Sequence, residues 1–378
     1  MKSRNDLIAP FSLLKNKGDK KEDDSMRKRL LAMMMTLIMV TVLFTGCGSD
    51  EESKQELNLM VWDGTWDEEV FKAFEEETGI HVNVSYIDNT DTIISKLLQG
   101  STSYDLIDIE SAYIKTFVDN GLLAELNYDN LENTKYIDPQ YGGFTGDEDC
   151  KYTVPCIAPL YTCIVYNTET CPIEITSFQD LAKPELEGQV CMVNSTITLF
   201  GMALESLGYK ADSCDEAQIE EACDLLMKIK KNVKAFVGES AVSELESGEC
   251  SVAFCWDYTT LCNESKENWT KFTIADIDSG CEYSGTYWGI PESSENKEAA
   301  EQLINYMLEP EQYAKHTVAW GNIPVLTQDC LAEYLPEDFY ENPAIEAYKA
   351  LNEASWKVAV NDEQINILDT YYTKLMSD

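Results

Sequence analysis

The chain is poor in histidine and in basic side chains. Its 378 residues include two histidines, and 28 Lys and Arg stand against 68 Asp and Glu, which gives a formal net charge of −40 at pH 7. Nucleic acids and anionic lipid surfaces are bound largely through Lys and Arg, so this balance argues against both as partners. The acidic surface attracts a cationic ligand, or it serves solubility alone.

Sequence motifs of the common catalytic and metal sites are also missing. The chain contains no Gly-x-Ser-x-Gly, His-Glu-x-x-His or Gly-x-x-x-x-Gly-Lys motif. None of its thirteen cysteines forms a Cys-x-x-Cys pair, and the two histidines, His81 and His316, add little support for a zinc site. We therefore expect no metal, no cofactor and no enzymatic activity. The rival interpretation is that the chain is an exported enzyme, and turnover of a ligand by the purified protein would favour it.

No apolar run reaches the roughly 20 residues that a membrane span requires, but the N-terminal region has the pattern of an export signal. Residues 1–25 are polar and precede a second methionine, so we interpret them as a dispensable or non-native extension. Arg27-Lys28-Arg29 is followed by fifteen apolar-rich residues and then by Thr45-Gly46-Cys47. This order predicts a signal peptide over residues 26–47, followed by an acidic tether over 48–56. An ordinary signal peptide or an anchor helix is the alternative.

The length and the cysteine content of the residues after the signal indicate how this part of the chain is organised. About 330 residues follow the signal, more than one hydrophobic core usually supports, so we expect two lobes. They carry 19 basic against 63 acidic residues. Twelve cysteines besides Cys47 permit disulfides in an exported protein, and the sequence does not fix their pairing.

The stretch from Leu57 to Ile87 has the pattern of a strand, a loop, a helix and a second strand. The apolar run at 57–61 predicts a buried strand, and the polar, Gly-containing segment Trp62–Trp66 predicts a loop. The residues after Asp67 have helical spacing up to Gly79, and Val82–Tyr86 alternates as a strand does. Open α/β folds bind ligands at the carboxyl edge of the sheet, so Trp62 and Trp66 are binding candidates.

The alternation of strands and helices continues along the chain and predicts an α/β fold. The strand Tyr104–Ile109 ends at Glu110, and the strand Val252–Cys255 ends at Trp256 and Asp257. The segment Tyr152–Asn167 carries two prolines followed by a strand pattern, and we place a hinge between the lobes there.

Seven segments of the chain follow a known order and spacing, namely Trp62, Phe74–Ile80, Tyr104–Leu106, Leu204–Tyr209, Ala253–Trp256, Gly289–Pro291 and Tyr371–Leu375. In these segments, over about 320 residues, the chain resembles the spermidine/putrescine-binding proteins of ABC importers. Such a resemblance implies a two-lobed periplasmic-binding-protein-like fold of type II, with hinge crossovers and a ligand cleft between the lobes.

The resemblance further implies which part of the chain builds each lobe. The first lobe would contain residues 57–160 and 285–330, and the second 161–284 and 331–378. Lobe closure would capture a small solute, with a polyamine such as spermidine or putrescine as the best candidate. The loaded protein, which we expect to be a monomer, would then deliver the solute to a membrane permease. A signalling or adhesion lipoprotein on the same fold is a weaker alternative.

The segment Leu43–Cys47 resembles a bacterial lipoprotein box, in which the signal is cut before the cysteine and its thiol carries lipid. Phe44 stands where the family usually has Leu. The resemblance implies a protein anchored through Cys47 to the bacterial membrane, outside the cytoplasm.

In the polyamine binders, aromatic rings enclose the methylene chain and carboxylates hold the amines, which suits a cation. The aromatic part is kept here at Trp62 and Trp256. The family's acidic positions instead fall on Ser195, Thr198 and Thr286. Other residues at the predicted site are therefore candidates for ligand contact, namely Asp63, Trp66, Glu110, Asp257 and Tyr287. If these acids do not point inward, the cleft is aromatic and neutral and suits a sugar-like, heterocyclic or other polar solute.

Overall fold

A computed structural model describes residues 55–62, 66, 68–87, 90–100, 103–156, 160–237, 240–256, 266, 269–320, 323–345, 347, 351, 355–357 and 361–377. Their strands are β1 (Glu56–Trp62), β2 (His81–Ile87), β3 (Leu106–Glu110), β4 (Thr153–Pro155), β5 (Leu160–Asn167), β6 (Val190–Val193), β7 (Val233–Val237), β8 (Val252–Cys255), β9 (Phe272–Ile274), β10 (Cys281–Ser284), β11 (Thr286–Gly289) and β12 (Ser355–Lys357). Their α-helices are α1 (Glu68–Thr78), α2 (Thr90–Leu98), α3 (Ile114–Asp119), α4 (Thr196–Ser206), α5 (Glu216–Ile229), α6 (Ala241–Glu246), α7 (Lys297–Met307), α8 (Pro310–Trp320), α9 (Gln328–Leu331) and α10 (Asp362–Ser377).

The first sheet has the strand order β2-β1-β3-β11-β4. Strand β1 runs parallel to β2 and β3, and β11 runs antiparallel to β3 and β4. Helix α1 connects β1 to β2, and it packs Val70, Phe71 and Phe74 into the core beneath the sheet. It begins with two acidic residues, which the helix dipole favours, and Gly79 ends it at a φ of +74°. The predicted strand-helix-strand unit is therefore present at this edge.

The second sheet has the order β12-β10-β5-β8-β6-β7, and β9 also pairs with β5. Its two faces lie against different cores. Ile164, Met192 and Phe254 pack with helices α4, α5 and α10, whereas Cys163 and Cys191 face the opposite side. The mixed sheets confirm the predicted α/β class and the two-lobed architecture.

The chain crosses between the two sheets where β4 leads to β5 and where β10 leads to β11. The second crossing consists of one residue, Gly285. Gly285 is fixed to Ser111, because the Ser111 backbone N–H donates to the Gly285 carbonyl oxygen (2.9 Å) and the Gly285 N–H donates to Ser111 Oγ (3.1 Å). The link between β10 and β11 therefore lies against the end of β3.

Aromatic side chains fill the space beside these crossings. We call Phe144, Tyr161, Tyr283 and Tyr287 the hinge aromatic cluster. The ring of Tyr283 lies 5.9 Å from that of Phe144 and 5.3 Å from that of Tyr161. The cluster belongs to a core that contains residues of both sheets, so apolar packing continues from one lobe to the other.

The predicted lobe boundaries stay a prediction, and the packing differs from them at one point. Leu331 and Leu335, assigned to the second lobe, lie in the core under the first sheet. The tail helix α10 agrees with the assignment, because Leu368 and Leu375 pack in the core of the second sheet. No helix of the described segments combines the length and the apolar character that crossing a bilayer requires.

The cysteines of the described residues are free thiols. Seven of these eleven are buried, namely Cys156, Cys163, Cys191, Cys223, Cys250, Cys255 and Cys281. They behave as small apolar side chains within the cores. The predicted lipid-bearing Cys47 lies outside the described residues, as does Cys262.

Candidate functional site

Two of the predicted site residues lie at neighbouring strand ends of the first sheet. Trp62 is the last residue of β1 and Glu110 the last of β3, and the parallel register pairs Met60 with Ile107. Glu110 is also paired with Thr286 of β11 across the antiparallel ladder. Trp62, Glu110 and Thr286 therefore share the edge of the sheet that adjoins the crossing strands.

A buried carboxyl group holds the Trp62 backbone at this edge. Asp108 is 2% exposed, and its Oδ2 accepts from the Trp62 backbone N–H (3.0 Å) and from Trp66 Nε1 (3.3 Å). Burial raises the pKa of Asp108 to about 7, although the hydrogen bonds oppose the shift. Among the described residues, its Oδ1 has no hydrogen-bond partner. Asp108 thus positions the Trp62 backbone and the Trp66 indole.

Two residues predicted to contact ligand are engaged by other protein groups. The Trp66 ring stacks on Trp288 at 4.5 Å and on His316 at 4.4 Å, and it is partly exposed. Tyr287 is 1% exposed and donates its hydroxyl hydrogen to the Gly142 carbonyl oxygen at 2.9 Å. The structure corrects the prediction for Tyr287, because its ring is buried in the hinge aromatic cluster, whereas ligand contact by Trp66 stays a prediction.

The second lobe contributes the start of α4 and the end of β8. Ser195 is the N-cap of α4, and its hydroxyl accepts from the Thr198 N–H at 3.3 Å. Trp256 follows β8 directly, and its Nε1 donates to Thr198 Oγ1 at 3.3 Å. The predicted residues Ser195, Thr198 and Trp256 therefore form one connected unit.

A residue that the sequence did not suggest lies next to this unit. Glu282 of β10 is partly exposed, and its Oε2 accepts from Thr162 Oγ1 at 3.3 Å. Burial raises its pKa to about 7, the nearby charge of Glu110 adds to the rise, and hydrogen bonds from Thr198 and Thr162 oppose it. We call Glu110, Thr162, Thr198, Trp256 and Glu282 the cleft group.

The cleft group brings together chemistry that suits a cation. Glu282 of the second sheet is affected by the charge of Glu110 of the first, and two hydroxyls and, through Thr198, an indole adjoin Glu282. Carboxylates stabilise a desolvated ammonium, and an indole face attracts it. Within the described ranges, no set of three His, Cys, Asp or Glu side chains is arranged to bind a metal ion.

Asp108 and Glu282 were missed by sequence reasoning for different reasons. Asp108 lies inside the predicted strand Tyr104–Ile109, and only its burial and its bonds to distant tryptophans show its role. Glu282 stands in the alternation Cys281-Glu282-Tyr283-Ser284, in which Cys281 and Tyr283 are buried. No strand was predicted at Glu282, so its place on the opposite face was left out. The predicted residues Asp63 and Asp257 lie outside the described residues.

A separate cavity of about 310 Å³ lies beside β9. Thr168, Trp269, Phe272 and Asn342 are among its lining residues, and it includes none of the cleft group. It therefore provides tryptophan and threonine positions for comparison with the cleft.

Most of the chain is similar to known proteins of one family. Residues 69–347 match the sequence profile of the bacterial extracellular solute-binding proteins. The chain is 30% identical over 361 residues to spermidine/putrescine-binding periplasmic protein 1 of Haemophilus influenzae, covering 91% of this chain and 98% of the relative. It is 26% identical over 313 residues to the spermidine/putrescine-binding periplasmic protein of Escherichia coli, with 81% and 87% covered.

Solved structures share the fold. The spermidine/putrescine ABC transporter substrate-binding protein PotD from Streptococcus pneumoniae superposes with a TM-score of 0.74 at 23% identity, covering 85% of this chain and 98% of that one. A lipoprotein of Treponema pallidum, Tp0655, gives a TM-score of 0.72 at 19% identity, with 85% and 99% covered. From the profile match, the relatives and this shared two-lobed fold, we conclude that the chain belongs to the bacterial extracellular solute-binding proteins.

Proposed function

We propose that the chain is the substrate-binding component of an ABC importer and that its solute is a polyamine such as spermidine or putrescine. The observation that carries the choice of ligand is that Glu282 shares Thr198 with Trp256 and is affected by the charge of Glu110, which supplies negative charge where the family's usual acidic positions hold Ser195, Thr198 and Thr286. The names of the relatives agree with this solute class.

The cleft group suggests how capture works. The carboxyl groups hold an ammonium, the indole of Trp256 covers the adjacent methylene chain, and rotation of the lobes about the crossings excludes water from both. Ligand binding stabilises the closed conformation, and a permease distinguishes this conformation from the open one. The acidic surface increases the rate at which cations reach the cleft.

We also propose where the protein works. Export by residues 26–47 and lipid attachment at Cys47 would hold a monomer at the outer side of the cytoplasmic membrane, next to its permease. Labelling with a radioactive fatty acid tests this, because Cys47→Ser should abolish incorporation. Label retained in the variant would contradict lipid attachment at this cysteine.

Calorimetric and thermal titration with spermidine and putrescine tests the ligand. A solute that binds only the folded protein stabilises it by about 2.7 kcal/mol at a hundred times its dissociation constant. A neutral diol of the same length as putrescine is the control, and recovery of unchanged ligand excludes turnover. A response to a neutral solute with none to either amine would contradict the polyamine assignment.

Substitution of Trp256 tests the location of the site. Trp256→Ala should weaken amine binding about tenfold or more, because the indole covers both the cation and its alkyl chain. Trp269→Ala is the matched control, since Trp269 lines the separate cavity. Equal affinities of the two variants, measured by calorimetry, would place the ligand elsewhere.

A further inference from the structure

The strongest unassigned feature is the pair formed by Glu110 and Glu282. The family resemblance places no ligand acid at Glu282, which lies on the crossing strand four residues before Thr286. Its carboxyl group is held by Thr162, at 3.3 Å, and by Thr198, whose hydroxyl also accepts from Trp256. A carboxyl group anchored by two hydroxyls beside a cleft indole has the arrangement of a ligand contact.

We propose that Glu282 and Glu110 together bind one ammonium group of the solute, and that this ammonium takes the place of a proton carried by the pair in the unliganded protein. The inference rests on the proposed polyamine function and assigns its charged end. The exchange is balanced, since one cation enters the site and one proton leaves to solvent.

The positions of the two residues favour a shared ligand over two independent charges. Glu110 is paired with Thr286, and Gly285 is hydrogen-bonded to Ser111, the residue after Glu110. These contacts hold the end of β3 against the crossing strand that carries Glu282. The charge of Glu110 raises the pKa of Glu282, so the two carboxylates repel each other and one proton or one cation stabilises the pair.

Among the described residues, Glu110 is the charged side chain that affects the pKa of Glu282. Strand β5 presents Thr162 and the start of α4 presents Thr198. On β12, Trp356 is the register partner of Glu282. The basic residue next to it, Lys357, lies over the Phe144 and Tyr283 rings and donates to the Gly143 carbonyl oxygen, on the side of the hinge aromatic cluster.

A pH series of calorimetric titrations with putrescine tests the exchange. The wild-type dissociation constant should fall about fivefold from pH 6 to pH 7 and about tenfold in all by pH 8, where it levels off, because Glu282 has a pKa of about 7 in the free protein. Titrations in two buffers of different ionisation enthalpy should show close to one proton released at pH 6. Glu282→Gln should bind at least tenfold more weakly at pH 8, without pH dependence over this range.

Glu187→Gln is the matched control, because Glu187 is exposed and lies before β6, outside the cleft group. It makes the same change in net charge and should keep the wild-type affinity and pH profile. Glu110→Gln is the second variant, in case Glu282→Gln does not fold. It should also bind more weakly at pH 8, and its remaining pH dependence should shift to lower pH.

The outcomes separate this inference from the proposed function. If wild-type protein binds putrescine and Glu282→Gln binds it equally well with the same pH profile, Glu282 is not a ligand contact and the polyamine assignment stands. Wild-type binding without proton release at pH 6 would overturn the exchange. If wild-type protein binds neither putrescine nor spermidine, both the assignment and this inference are wrong.

Discussion

At the scale of single residues, Asp108 and Glu282 show how burial gives similar carboxyl groups different roles. Both have a pKa raised to about 7, mainly by loss of solvation. Asp108 is enclosed and holds the backbone of Trp62, whereas Glu282 is partly exposed among polar side chains. One therefore acts on the protein itself, and the other is available to a solute.

Replacing Asp108 should change the pH dependence of stability. The unfolded carboxyl group has a pKa near 3.9, so the folded state binds the proton more tightly and Asp108 destabilises the fold as pH rises from about 4 to about 7. Asp108→Asn keeps an oxygen for Trp62 and Trp66 and cannot ionise. It should be more stable than wild type by about 4 kcal/mol at pH 8, with the difference disappearing near pH 4.

Urea denaturation at pH 4.5 and pH 8 measures this difference. Wild-type protein with the same change in stability between the two pH values as Asp108→Asn would show that Asp108 is not the group responsible.

Sequence reasoning at this scale placed Trp256 directly after a buried strand and Glu110 at the end of another, as the structure has them, and their contact with ligand stays a prediction. It failed for Tyr287, because burial of this ring depends on partners distant in sequence, Gly142 among them. Aromatic residue type alone does not separate a ligand contact from core packing.

At the scale of elements, the start of α4 joins structure and site. Ser195 caps the helix, and Thr198, in its first turn, connects Trp256 to Glu282. The family's acids are replaced here by hydroxyl side chains that bond to protein groups. In the proposed site the acidic side chain is therefore on strand β10, at Glu282, and not on this helix.

Substitution of the cap should weaken the helix without removing a charge. Ser195→Ala should lower the free energy of unfolding by about 1 kcal/mol, because the Thr198 N–H loses its acceptor. Ser195→Asn should retain most of the stability, since Asn is an equally good N-cap. Chemical denaturation measures both, and equal losses in the two variants would show that capping is not the role of Ser195.

Elements with strong local patterns were predicted well, and those defined by distant partners were not. The strand Val252–Cys255 has the predicted bounds. The sequence did not indicate strand β12, whose three residues pair in parallel with the distant β10. It did not indicate helix α8 either, which begins at Pro310, a position that proline favours.

At the scale of the whole molecule, the hinge aromatic cluster determines how the lobes are joined. It connects β5, β10 and β11 with Phe144 of the first lobe, and Lys357 lies over two of its rings. The two-lobed organisation was predictable from length, strand alternation and resemblance. The cluster was not, because its members are separated by up to 143 positions in the sequence.

A substitution within the cluster should affect stability more than ligand contact. Tyr287→Phe keeps the ring and removes the hydrogen bond to the Gly142 carbonyl oxygen, so the free energy of unfolding should fall by about 1 kcal/mol. Tyr334→Phe is the control, since Tyr334 is exposed. Unfolding curves and amine titrations measure the two effects, and a larger loss of affinity than of stability would return Tyr287 to the site.

The one-residue link at Gly285 has a mechanical consequence. A carboxylate three positions from a pivot travels a short arc when the two halves of the molecule swing, whereas groups at the far rim travel a long one. The charged end of a solute can therefore dock in the open form at almost its final coordinates. Closure of the lobes then adds the contacts farther from the hinge. The protein would therefore recognise the charge of the solute before its length.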